Sequence, residues 1–307
     1  MSLLVHRTSP LHSIQDNGRF GYQSVGATPA GPLDMMAFAW ANHALKNPIN
    51  TPVIELIRGG FVAEFKADTS FILTGAECHA KLDGQPCPGW MTQQACRGQQ
   101  LYIATPQTGQ ITYLAVAGGF LVPQSFGSAA TSTRDQMGGL HGHGLTLQAG
   151  DEIAYQTRPL VHGGVPRQFI PDYAAPLQLR LIPSYQHDEF GANAIAHFFS
   201  QLYRLSNNCS RMGYRLEGAP LPNIPPTHLS EPIALGAVQV PPDGLPIVLM
   251  RDRQSLGGYP KLGVVMREDL GALAQRRSGD MAVWIPISRA EAQKRLIAIQ
   301  HFFGGVV

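Results

Sequence analysis

Short apolar runs, alternating or continuous, recur along the chain, each closed by glycine, proline or aspartate. In the first half they predict strands at 59–65, 70–76, 100–105 and 111–119, with turn signals such as 82–86 between them. One helix interrupts this set. Asp34 is a candidate N-cap for the alanine-rich segment 35–45, which stops before Asn47-Pro48. The stretch 145–156 closes the half. Residues 157–176 are broken by proline and glycine without a period and read as a connection.

A second set opens with the strand 177–183. It predicts helices within 187–203, where Gly191 weakens the start, and at 267–277, then closes with 277–287. Ser288-x-x-Glu291 is a capping box, so a terminal helix follows. Gly150-Asp151 and Gly279-Asp280 each precede a closing apolar strand, and each half has an apolar strand ending in Gly-Gly, at Gly118-Gly119 and Gly257-Gly258. The pattern predicts a mainly β chain with a few helices. Its domains are 1–156, a linker 157–176, a second β-barrel-like domain 177–287, and a terminal helix 288–307.

Composition supports this picture and narrows the function. The 33 glycines and 24 prolines suit many short strands and turns, and 307 residues suffice for two ordinary domains. A net charge of +2, with no basic runs, gives no electrostatic footprint for nucleic acid or membrane. Cys78, Cys87, Cys96 and Cys209 match no zinc or CxxC spacing. The start has no charged segment followed by a long apolar one, so the sequence predicts a cytoplasmic chain with free thiols. There is no P-loop, no H-E-x-x-H and no G-x-S-x-G elbow. His141 and His143 in a glycine-rich loop have no acidic or cysteine neighbour and read as solvated side chains.

Four stretches carry candidate chemistry. Around the Asn17-Gly18 turn, Asp16 and Arg19 either pair to fix the turn or face a ligand. Asp34 stands at a helix start that could receive an anion, though capping alone explains it. Arg211, Tyr214 and Arg215 surround Gly213; they are either an anion grip or a solvated surface turn. The richest stretch runs from Arg251 to Lys261. Extended-chain alternation would place Arg251 with Arg253 and Tyr259 with Lys261, and Gly257-Gly258 would leave backbone amides open to a ligand. Such a loop suits an anion or a developing oxyanion. Lys261 is also the only lysine between Lys81 and Lys294.

In order along the chain stand SIQDNGRFGYQ, AGPLDMMAFAWAN, TGAE, YLAVAGGF, SRMGYRLEG, LSEP and GAVQVPPDGLPIVLMRDRQSLGGYPK, then a Gly-Asp pair before the last strand. By these motifs the chain resembles the biotin-dependent carboxyltransferase-like family, also called allophanate hydrolase subunit 2-like, across residues 3–287. The resemblance implies two tandem cyclophilin-like β-barrel domains. It also implies a subunit of an ATP-dependent 5-oxoprolinase that hydrolyses 5-oxoproline to glutamate. The partners would be an allophanate hydrolase subunit 1-like protein and a further subunit, with ATP and Mg used by the complex. Two other readings are a carboxyltransferase component acting on urea or a similar amide, and a non-catalytic binding subunit.

The site expected from these motifs has Lys261, Tyr259 and Gln254 as catalytic residues. Arg211, Tyr214, Arg253, Gly257, Gly258, Gln239, Asp16, Arg19 and Asp34 would bind substrate, with no metal. Biotinyl lysines typically sit between methionines, and Lys46, Lys66, Lys81, Lys261 and Lys294 have no Met neighbour, so no biotin is expected on this chain. The family pattern is left at Pro183-Ser184-Tyr185-Gln186, at Ser210 and at Ser255-Leu256.

Overall fold

The computed structural model describes residues 1–156 and 158–305. Thr157, at the start of the expected linker, and Val306 and Val307, at the end of the expected terminal helix, lie outside the described residues. The chain divides into a unit of residues 1–20, 29–174 and 303–307 and a unit of residues 21–28 and 175–302.

The first unit holds two sheets. One runs in the order Glu152–Ala154, Ser2–Arg7, Phe61–Phe65, Gln100–Ile103, Lys81–Leu82 and Gln85–Pro86. The other runs His12–Gln15, Val53–Ile57, Ile111–Val116, Thr69–Gly75 and Gln93–Ala95. Apolar side chains from both, among them Leu3, Phe65, Phe71, Leu101 and Leu114, form one core. Ile111–Val116 and Thr69–Gly75 are buried along their whole length. Their second face is covered by the helix α1 (Met35–Ala44), whose alanines let it lie close. Asp34 caps α1 by accepting from Ala37 N at 3.1 Å, as the sequence predicts. Residues 158–174 lie against this unit, with Gln94 Nε2 donating to Val161 O and Val165 N to Trp90 O.

The second unit is a closed seven-stranded barrel. Its order is Leu177–Pro183, Lys261–Val265, Ala237–Gln239, Ile247–Leu249, Gly213–Glu217, Tyr203–Cys209 and Met281–Pro286. Parallel pairing of Leu177–Pro183 with Met281–Pro286 closes the ring. Leu177, Leu179 and Leu181 alternate inward, which is why this strand reads as a period of two. The helix α2 (Gly191–Ser200) packs Phe198 on Trp284, with ring centroids 4.7 Å apart. The helix α3 (Arg267–Ala274) is tied to the first barrel strand by Asp269, which receives Arg180 N at 2.8 Å and Nε at 2.9 Å. The terminal helix α4 (Arg289–Phe303) begins with Ser288 Oγ accepting from Glu291 N.

The two Gly-Asp closures are the same turn. Gly150 and Gly279 have φ of +95° and +93°. Asp151 Oδ2 accepts from Gln148 N and Asp280 Oδ2 from Arg277 N, at 2.8 and 2.9 Å. The Gly-Gly parallel fails. Gly118 and Gly119 follow the strand Ile111–Val116 with positive φ, whereas Gly257 lies in a separate two-stranded ribbon, Glu231–Pro232 with Leu256–Gly257.

Candidate active site in the barrel unit

The richest stretch of the sequence leaves the barrel after Ile247–Leu249 and returns to it at Lys261. It does not run extended. Arg251 and Asp252 form a turn in which Arg253 N donates to Met250 O, so the alternation expected of Arg251 and Arg253 does not apply. Arg253 is 5 % exposed; its Nε donates to Ile233 O at 3.0 Å and Nη1 to Met250 O at 3.3 Å. Nη2 has no hydrogen bond among the described residues. Burial, with the nearby Arg267 guanidinium adding to it, brings Arg253 down to about 10.

Lys261 is held from three directions. Its backbone N donates to Gln186 Oε1 at 2.8 Å, its carbonyl receives the Ser184 hydroxyl, and its Nζ lies 2.5 Å from Glu231 Oε1. The Tyr185 hydroxyl donates to the same carboxylate, and Gln186 Nε2 reaches it at 3.3 Å. The hydrogen bond from Lys261 and then that from Tyr185 hold Glu231 below the usual carboxylate range. In return the Glu231 carboxylate pushes Tyr185 up to about 12. Sequence reasoning did not single out Glu231, Tyr185, Gln186 or Ser184. Their signal was present in the LSEP motif and in the departure at 184–186.

The ribbon joins these groups. Glu231 pairs with Gly257, and two residues on, Ile233 takes the Arg253 Nε. A Cβ on Gly257 would stand 2.5 Å from Ile233 Cδ1, 3.0 Å from Gln239 Nε2 and 3.6 Å from Gln254 Nε2. Gln239 is 2 % exposed and its buried amide nitrogen has no partner among the described residues. A buried donor left unpaired costs about 1–3 kcal/mol, so this amide needs a reason. On Gly258 a Cβ would lie 2.5 Å from His228 O, so this glycine permits a close backbone approach. Tyr259 sits in a bend with its ring exposed, while Lys261 is buried, so the two do not share a face.

The other expected binding residues are engaged elsewhere. Arg211 forks onto Asp252, with Nε–Oδ2 2.8 Å and Nη2–Oδ1 3.1 Å. Tyr214 is buried and donates to Ala274 O, and Arg215 pairs with Asp243. The three do not form one grip. In the first unit, Asp16 receives Gly18 N, Ser128 Oγ and Ala129 N at 2.5–2.9 Å. Arg19 donates to Ala130 O at 2.6 Å, so both residues fasten the turn to the loop 125–130. Asp34 divides its oxygens between Ala37 N and the Tyr173 hydroxyl. An apolar cavity of about 450 Å³ beneath α4, lined by residues such as Leu235, Met266, Leu270 and Leu296, contains none of the residues expected in the site.

The chain is similar to known proteins over most of its length. The chain is 39 % identical over 285 residues to the 5-oxoprolinase C subunit of Haemophilus influenzae, covering 92 % of this chain and 90 % of that protein. To the 5-oxoprolinase C subunit of Escherichia coli K12 it is 35 % identical over 303 residues, covering 98 % and 96 %. The crystal structure of the K. lactis urea amidolyase superposes with a TM-score of 0.87 at 25 % identity; it covers 98 % of this chain, which spans only 19 % of that much longer protein. Residues 25–284 match the model of the carboxyltransferase domain, subdomain A and B. With barrel, motifs and relatives in agreement, the chain belongs to the carboxyltransferase domain family of subdomains A and B.

Proposed function

We propose that this chain is a subunit of an ATP-dependent 5-oxoprolinase, acting with an allophanate hydrolase subunit 1-like protein and a further subunit to hydrolyse 5-oxoproline to glutamate. Near-full-length similarity to two proteins named as the C subunit of 5-oxoprolinase supports the reading. The observation that carries it is the ribbon Glu231–Ile233, which touches Lys261 at one end and Arg253 at the other.

Lactam opening places negative charge on the carbonyl oxygen and requires the substrate carboxylate to be held. The Lys261 ammonium, oriented by Glu231, stabilises the developing oxyanion. Arg253 offers Nη2 to the substrate carboxylate. Gln254, Gln239 and Gly257 frame the amide, and Tyr259 stands at the exposed edge. ATP and its Mg ion belong to the complex. Among the described residues no group of three His, Cys, Asp or Glu side chains is placed to hold a metal ion.

The test is glutamate release from 5-oxoproline with ATP by the co-expressed subunits. Activity that requires both this chain and Lys261 supports the reading; full activity of Lys261→Ala assigns the chain a non-catalytic binding role. Similarity to urea amidolyase favours a second reading, carboxyl transfer to urea from carboxybiotin on a separate carrier. Biotin- and bicarbonate-dependent ATP turnover with urea, and none with 5-oxoproline, would select it.

A further inference from the structure

Arg289, Ala292, Leu296 and Ile299 recur at helical spacing and form one stripe of α4. A helix normally buries such a stripe against its neighbours, yet among the described residues only Ala292 of α4 is buried. Leu296 and Ile299 are half-buried and line the cavity of about 450 Å³ beneath the helix. Ile182, Val264, Met266 and Leu270 line it from the barrel and α3. Protein interiors are close-packed, so an apolar hollow of this size under a helix is room for a ligand and not a packing gap. None of the residues around Lys261 and Glu231 lines it, so it is separate from the site described above.

The polar side chains at this cavity decide what it would hold. Glu268 is already paired with Arg180, at 3.1 Å. Arg289 makes no hydrogen bond or ion pair among the described residues. It also lines a second hollow, with Ile182, Pro286 and Ile287, and so stands at the mouth where the two meet. Arg267 lines the cavity too; burial lowers its pKa, and its charge helps to lower that of Arg253. An apolar body with two arginines, its carboxylate already neutralised, complements a molecule with a hydrocarbon tail and an anionic head. Because α4 roofs the space, it suits a small molecule entering past Arg289 and not a folded partner. We infer that the space between the barrel and α4 is a binding site for an apolar carboxylate, a chain of about six to twelve carbons whose head meets Arg289 and whose tail lies between Leu296 and Leu270.

The test is calorimetric titration of the full chain with hexanoate, octanoate and octan-1-ol. Octanoate is expected to bind about tenfold more tightly than hexanoate, because two further methylenes leave water. It should bind about threefold or more tightly than octan-1-ol, which has the chain without the charge. Leu296→Trp and, separately, Ile299→Trp place an indole in the cavity and are expected to remove binding; thermal melts identify any variant that fails to fold. Arg289→Gln is expected to bring octanoate toward the affinity of octan-1-ol and to leave octan-1-ol unchanged, while Arg289→Lys keeps part of the preference. No binding of octanoate, equal affinity for hexanoate and octanoate, or equal affinity for octanoate and octan-1-ol overturns the site. So does full binding in both tryptophan variants once folded. Loss of a partner subunit in those variants, with no octanoate bound by the unmodified chain, overturns it in favour of a docking face.

Discussion

Lys261 Nζ and Glu231 Oε1 stand 2.5 Å apart, the lysine side chain 8 % exposed and the glutamate 32 %. An amine withdrawn this far from water is held in one direction by its partner. The glutamate in turn is fixed by Tyr185 and Gln186, from the segment 184–186. The lysine that the sequence pairs with Tyr259 is therefore one member of a cluster with Glu231, Tyr185 and Gln186.

Removing the Glu231 charge should be visible at Tyr185. With Glu231→Gln the neighbouring anion is lost, so the Tyr185 phenol should fall from about 12 toward its ordinary value near 10. Ultraviolet titration of this variant against Tyr185→Phe isolates the one tyrosine. An unchanged titration curve contradicts the cluster.

The Arg211–Asp252 fork should matter to stability rather than to substrate binding. Asp252 is 6 % exposed at its side chain, so Arg211→Ala takes the two hydrogen bonds of the fork from a buried carboxylate. The expected loss is about 3–5 kcal/mol in urea unfolding. A variant of native stability with weakened substrate binding would return Arg211 to the binding site.

His12 should make the first unit sensitive to acid. Burial lowers it to about 4, and its neutral ring is fully used: Nε2–H donates to Gly59 O while Nδ1 receives Ser9 N. The unfolded chain takes up this proton near pH 6.5 and the folded one only near 4, so stability present above pH 6.5 is lost as pH falls toward 4. The full difference is about 3 kcal/mol. Urea midpoints at pH 7 and 4.5 should separate less in His12→Gln than in the unmodified chain. Equal separation contradicts the assignment.

Gly258→Ala should loosen the ribbon. Its Cβ would meet the His228 carbonyl at 2.5 Å, a backbone atom that cannot turn aside. The expected cost is about 1–3 kcal/mol, read as faster hydrogen exchange at the His228 amide, which donates to Gly258 O. Protection equal to that of the unmodified chain contradicts the close approach.

Much of the fold was legible because its signals are local. Asp34 before an alanine-rich run, Ser288 three residues before Glu291 and the alternating leucines of 177–181 each act within a few positions. The two Gly-Asp turns were legible for the same reason. The barrel closure was not, because it depends on Leu177 meeting Ala282, more than a hundred residues away. In the site, Lys261, Arg253 and the glycines stood out as residue types unusual for a turn. Glu231 and Tyr185 did not, since LSEP and the segment 183–186 mark their positions without showing that they meet at Lys261. Arg211 was misleading in the opposite way, because nothing near it in sequence reveals Asp252 as its partner.

The central claim is that Lys261 and Glu231 act as one unit in the chemistry of the complex, and a double-mutant cycle tests it most directly. Glutamate release from 5-oxoproline would be measured for the assembled complex carrying Lys261→Met, Glu231→Gln, or both. Each single change should lower kcat by about 10- to 1000-fold, and the double variant should be no worse than Lys261→Met alone, as for groups that act together. Multiplicative losses, or a Lys261→Met complex with unchanged kcat, would contradict the account.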